Sequence, residues 1–239
     1  MLPILLSILI GTGAFVQAQG VPGQLILDDA RPITSSAGWG ELAWSPDGAE
    51  LSAHGPGGLW VLSLEGGEPQ PVPAEPGEPI FRHRWPGAPA AVAQATAYAQ
   101  RDDIWLQDTE GARRLTQGED RFYDPVLSPD GQRVVFSGLV TGLHVMDLRT
   151  GALSHLGSGR WPSWRPDGSW LVFERDRDDG HRLTQADLLL WSPGLAMPLP
   201  LTASSHSLDR FPAFSPDGSR LAWVRDGVVH VAQVREVAP

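Results

Sequence analysis

Ser45-Pro46-Asp47-Gly48, Ser128-Pro129-Asp130-Gly131 and Ser215-Pro216-Asp217-Gly218 are one tetrapeptide written three times, and Arg165-Pro166-Asp167-Gly168 is a copy changed at its first place. Pro presets φ for the first corner of a tight turn, Asp caps the turn's own backbone, and Gly takes the position with positive φ. Each copy follows a short apolar segment: Leu42-Ala43-Trp44, Val126-Leu127, Ser163-Trp164 and Ala213-Phe214. Each also precedes one: Ala49 to Ala53, Arg133 to Ser137, Ser169 to Glu174 and Arg220 to Arg225. Short strands bounded by such turns at regular spacing predict an all-β chain.

The copies lie 83, 37 and 50 residues apart, so the first interval hides a further unit, and Trp85-Pro86-Gly87 near its middle reads as a worn copy. A third strand repeats in register at Leu59–Leu62, Ile104–Gln107, Leu143–Met146, Leu188–Trp191 and Val229–Ala232. A fourth is clearest at Ala112 to Thr116 and Pro198 to Thr202. Four strands in a unit of this length make the blade of a β-propeller. The last unit shows three strands, and Leu25 to Thr34 reads like the end of a blade, with Arg31 to Thr34 resembling Arg113 to Thr116. The expected architecture is therefore a propeller of five four-stranded blades, six being the alternative, in which the N-terminal segment supplies the outer strand of the C-terminal blade and removes an exposed edge.

The order of apolar-aromatic residue, Ser-Pro-Asp-Gly, apolar strand, turn, aromatic strand and closing Leu-Thr resembles the TolB-type β-propeller repeat over residues 25 to 235. That resemblance implies a periplasmic or otherwise exported propeller that binds other proteins without a cofactor. TolB itself carries an additional N-terminal α/β domain and six blades. The repeats here fill residues 19 to 239 as one expected propeller domain, with no room for that domain.

Composition narrows the functions. A net charge of −10 argues against nucleic acid and anionic membrane surfaces, both of which require a basic face. With no cysteine there is neither thiolate chemistry nor a disulfide, and the fold must rest on core burial. Residues 1 to 18 carry an uncharged apolar run (Leu2, Ile4 to Leu6, Ile8 to Ile10) ending at Val16-Gln17-Ala18, which matches a secretory signal cleaved after Ala18. The run is short for a membrane span, which needs about 20 apolar residues. A periplasmic or secreted bacterial protein, not inserted in the membrane after cleavage, is expected.

No catalytic constellation emerges. No Gly-x-Ser-x-Gly elbow is present, and His54-Gly55-Pro56-Gly57-Gly58 falls where the repeat places a turn. Glu174 to Gly180 alternates acids with Arg, but an EF-hand loop needs Gly at its sixth place and an acid at its twelfth, here Asp179 and Gln185; a solvated hairpin loop is expected. His144 and His230 stand where sister units have Trp60 and Trp105, so packing accounts for them better than metal ligation. No metal and no cofactor are expected.

Binding candidates lie on the segments linking one blade's outer strand to the next blade's inner strand, which converge on one mouth of a propeller's channel. They are Arg84, Arg121, Tyr123, Asp124, Arg160, Trp161, His206, Asp209 and Arg210, a set rich in the Arg and aromatic types that dominate interface hot spots. A non-enzymatic, exported protein-binding scaffold using that mouth is the leading expectation. A carbohydrate-active hydrolase using paired carboxylates and a structural subunit of an envelope assembly are the alternatives.

Overall fold

The computed structural model describes residues 23–72, 95–118, 120–204 and 206–237. Strand β1 (Leu25–Pro32) stands apart from its neighbours in sequence. One sheet holds β2 (Leu42–Trp44), β3 (Glu50–Gly55), β4 (Gly58–Ser63) and β5 (Gln70–Pro71), and a second holds β6 (Thr96–Gln100), β7 (Asp103–Asp108) and β8 (Gly111–Arg114). The third contains β9 (Phe122–Leu127), β10 (Arg133–Gly138), β11 (Gly142–Asp147) and β12 (Leu153–Gly157). The fourth contains β13 (Arg160–Trp164), β14 (Leu171–Asp178), β15 (Leu183–Trp191) and β16 (Leu199–Pro200). The fifth contains β17 (Asp209–Phe214), β18 (Arg220–Arg225) and β19 (Val228–Glu236). Its fourth member is β1, antiparallel to β19 from Leu25↔Glu236 to Pro32↔His230 with a bulge between Asp28 and Arg31. The described residues are thus all-β, in antiparallel sheets of four strands and one of three.

The repeated tetrapeptide works as its chemistry dictates. Gly48 N–H donates to Ser45 O (2.9 Å), while Ser45 Oγ donates to Asp47 Oδ1 (2.6 Å) and accepts from Glu50 N–H (2.9 Å). The same set recurs at Ser128 and Ser215. At Arg165 the hydroxyl is gone, and the guanidinium lies 3.4 Å from Asp167 in its place. The turn glycines sit at φ of 69 to 72°, where a Cβ is strained. The turns of neighbouring sheets also touch: Arg220 Nη2 donates to Gly48 O at 2.8 Å, and Arg165 lies against Gly218.

Period-2 alternation buries both faces of the middle strands. On β18, Leu221 and Trp223 join the core shared with the fourth sheet, and Ala222 and Val224 join the core shared with the first. Leu171 and Phe173 of β14 face the third sheet, whereas Val172 faces the fifth. Phe136 and Val134 pack with Ile104 of the second sheet. The packing order is therefore second, third, fourth, fifth, first. Innermost strands are also tied directly: Trp44 Nε1 donates to Ala213 O (2.9 Å), and Phe214 N–H donates to Ser163 Oγ (3.1 Å).

Expectations on residues 1–18, Arg84 and Trp85-Pro86-Gly87 lie outside the described residues. The expectation of a solvated loop from Glu174 needs correction. β14 and β15 stay paired as far as Asp178↔Leu183, so the loop is only residues 179–182, and Glu174 is fully buried.

Candidate functional site

Three inner strands carry the same irregularity. The residue four places before the turn's first member has positive φ: Asp124 (51°), Trp161 (53°) and Phe211 (54°). Each sits at a break in register between its strand and the next. A bulge adds a residue, bends the strand and re-aims side chains, and a non-glycine residue in this conformation costs roughly 1–3 kcal/mol. The residues involved are Tyr123-Asp124-Pro125, Arg160-Trp161-Pro162 and Arg210-Phe211-Pro212. The recurrent Pro is the signal that sequence reading missed, because Pro inside a strand is confined to edges and bulges.

The bulges lie at the end of the sheets opposite the Pro-Asp-Gly turns. There the linkers bond to the hairpin turns between second and third strands: Leu139 N–H to Arg121 O (2.9 Å), Asp226 N–H to Leu208 O (3.1 Å), Trp39 N–H to Gly227 O (3.0 Å). Arg121, Arg160 and His206 are exposed on this face, as are Tyr123 and Asp124. Trp161 and Phe211, from adjacent sheets, meet edge to face with centroids 5.1 Å apart, and the Arg210 guanidinium covers the Phe211 ring at 4.5 Å. Arg160, Trp161, Arg210 and Phe211 thus form one group, with Arg160 3.6 Å from Asp176. Tyr123, Asp124 and Arg121 belong to the preceding sheet.

Two buried carboxylates hold this face from beneath. Glu174 accepts from Arg210 Nε (2.9 Å) and from the N–H of strained Phe211 (3.2 Å), and burial raises its pKa against the pull of Arg210. Asp209 is wholly buried: Oδ1 accepts from Arg225 Nε (2.6 Å) and Trp223 Nε1 (3.1 Å), and Oδ2 accepts from Arg225 Nη2 (2.7 Å). It is therefore inaccessible to a partner in this arrangement and acts as a brace. Trp39 is likewise core, edge-on to Trp60 at 6.2 Å.

A third carboxylate, Asp120, accepts from Val140 N–H (3.1 Å), Thr141 N–H (2.9 Å) and Thr141 Oγ1 (2.5 Å). The Thr141 hydroxyl chiefly holds its pKa down to about 2. His144 Nε2 lies 2.7 Å from Thr141 Oγ1, and His155 Nε2 bonds Thr141 O. The hydroxyl's one proton goes to the carboxylate, so His144 Nε2–H donates and Nδ1 is a bare acceptor, buried with no hydrogen-bond partner. Nucleophilic catalysis requires the reverse, with an acid orienting Nδ1–H and Nε2 taking the hydroxyl proton. This cluster therefore locks a turn. Burial, then neighbouring His155, lowers the His144 pKa, and its ring stacks on Phe136 at 5.5 Å, as His230 stacks on Trp223 at 5.6 Å. Among the described residues no three His, Asp or Glu side chains assemble in a way that could hold a metal.

No family model matches the chain. It is 32% identical over 120 residues to a TolB homolog of Chlorobium luteolum, covering 46% of this chain and 25% of that protein. It is 28% identical over 193 residues to an uncharacterized protein of Agrobacterium fabrum, covering 76% of this chain and 64% of that one. The chain therefore spans between a quarter and just under two thirds of the curated relatives it matches. A solved structure of a putative TolB from Agrobacterium tumefaciens aligns with TM-score 0.43 at 19% identity, over 87% of this chain and 96% of that one. TolB from Acinetobacter baumannii aligns with TM-score 0.42 at 18% identity, over 86% and 57%. The TolB-type resemblance of the repeats is thus shared with named TolB homologs.

Proposed function

We propose that this chain, similar in sequence to TolB homologs, is a non-enzymatic, exported β-propeller of five blades that holds a loop or peptide of a protein partner at its linker face. The second sheet counts as one of the five blades, and ring closure brings it beside the first sheet. The apolar segment before Ala18 is the export signal.

One observation carries the reading: three inner strands spend strain on a bulge at the same place, and each bulge presents Arg or an aromatic on the same face. Phe211 also packs against the core between the first and fifth sheets, but the same strain recurs at Asp124 and Trp161, and strain repeated at one place marks a working surface. Rigid Trp, Tyr and Arg side chains make the best anchors for a protein, since they bury area at low entropic cost. The TolB-type resemblance of the repeats adds the expectation of a periplasmic or otherwise exported setting.

The test exchanges Arg121, Tyr123 and Arg160 for Ala, all exposed and none of them holding a buried group. Capture of the partner from the native envelope, followed by titration of the purified partner, should weaken by at least about 100-fold if these are anchors, as about 1.4 kcal/mol is a factor of ten. Unchanged affinity rejects this surface.

A further inference from the structure

The turns between second and third strands all reach the linker face, and one differs in chemistry. The first, second, fourth and fifth sheets present Pro56-Gly57, Arg101-Asp102, Asp179 to Arg182 and Asp226-Gly227 there; the third presents Leu139-Val140. Leu139 is 62% exposed and Val140 86%. Apolar side chains on so prominent a turn gain nothing in the folded monomer. A soluble surface ordinarily leaves such chains scattered rather than paired at a tip.

The tip is also held rigid. Asp120 reaches under the turn and takes both N–H groups, of Val140 and Thr141, while Leu139 N–H bonds Arg121 O. Gly138 makes room for this: a Cβ there would collide with Thr141 Oγ1 and the Asp120 carboxylate. The Asp120 carboxylate stays ionised throughout the physiological range, so the turn remains locked. His144 and His155 grip Thr141 from the other side. Fixing the backbone in advance removes the ordering cost that a free loop would incur on binding.

We propose that Leu139 and Val140 form an apolar finger that inserts into a hydrophobic pocket of a partner protein, with exposed Arg121 beside it meeting a carboxylate on the pocket's rim. Charge selects this occupant over two others. At net −10 the chain is repelled by an anionic lipid surface and by a second copy of itself, whereas an acidic group on a partner finds exposed Arg121 on the linker that bonds this turn through Leu139 N–H. The finger rests on the proposed partner-binding face but uses residues the linker bulges do not.

A photo-crosslinking amino acid at position 140 of the full chain, activated in the native cells, should give an adduct with one protein that mass spectrometry identifies. That protein, purified, should bind V140D and L139D at least about ten-fold more weakly than the parent, the loss of one buried aliphatic side chain. An adduct with a second copy, or flotation with phosphatidylglycerol vesicles that V140D abolishes, overturns the finger. So does the absence of any adduct. If binding falls with Arg160→Ala but not with V140D, the linker face stands and the finger fails. If V140D weakens binding while Arg160→Ala and Tyr123→Ala leave it unchanged, the finger stands and the linker-face reading fails.

Discussion

Replacing Asp209 with Ala should be among the most damaging single changes available in this chain. The side chain is fully buried, and its two oxygens accept two N–H bonds from Arg225 and one from Trp223 Nε1. Removing it leaves a guanidinium with 21% of its side-chain surface exposed and an indole N–H at a Trp with no exposed surface. Deleting one partner of a buried ion pair costs about 3–5 kcal/mol. Partial access of Arg225 to water favours the lower half of that range, and the lost bond to the indole N–H adds about 1 kcal/mol. A total near 4 kcal/mol corresponds to a fall in Tm of roughly 8–16 °C for a domain of this length. Asp209→Asn, which keeps the shape and one acceptor, should cost about half as much, and Trp223→Phe about 1 kcal/mol beyond any lost packing. Urea denaturation followed by tryptophan fluorescence at pH 7 measures all three. A loss below about 1 kcal/mol for Asp209→Ala would refute the brace and return Asp209 to the surface as a contact residue.

Ser215→Ala removes a buried hydroxyl that bonds Asp217 Oδ1 (2.5 Å) and accepts Arg220 N–H (2.9 Å), and should lower stability by about 1–3 kcal/mol in the same assay. Gly138→Ala drives a Cβ into Thr141 and Asp120; hydrogen exchange at the Val140 and Thr141 amides should accelerate, with a global cost of about 1–3 kcal/mol. Burial lowers the pKa of His144 and His230 below 6.5, so the unfolded chain binds more protons there and stability falls as pH drops below about 6.5. His230→Phe should lose less stability than the parent between about pH 7.5 and 5.5, a comparison that cancels the opposite contribution of Glu174, whose raised pKa makes folding more favourable as pH falls. An identical pH slope in the two proteins would contradict this assignment.

The frame was legible because its signals are local. Pro-Asp-Gly turns announce themselves wherever they occur, and the likeness of Arg31–Thr34 to Arg113–Thr116 pointed to the pairing of β1 with β19. His144 and His230, at the places where sister strands carry Trp60 and Trp105, each stack on an aromatic neighbour. The site was less legible because its geometry is set across sheets. Glu174 looks like the start of a charged loop until Arg210, 36 positions away, closes on it from the next sheet. Asp209 looks like a surface acid until strand pairing brings Arg225 across from it. The bulges change no residue type except the Pro that follows each one. The finger at Leu139-Val140 reads as any short apolar stretch until the register places it at a tip.

The partner is expected to meet the linker end of the sheets and not the end that carries the Pro-Asp-Gly turns. A scan with a photo-crosslinking amino acid at Arg160 and His206 on the linker face, and at Pro46 and Pro216 on the turn face, tests it directly in native cells. Adducts with one and the same protein from Arg160 and His206, and none from Pro46 or Pro216, are the predicted result. Adducts confined to Pro46 and Pro216, or no adduct from the linker face, would contradict it.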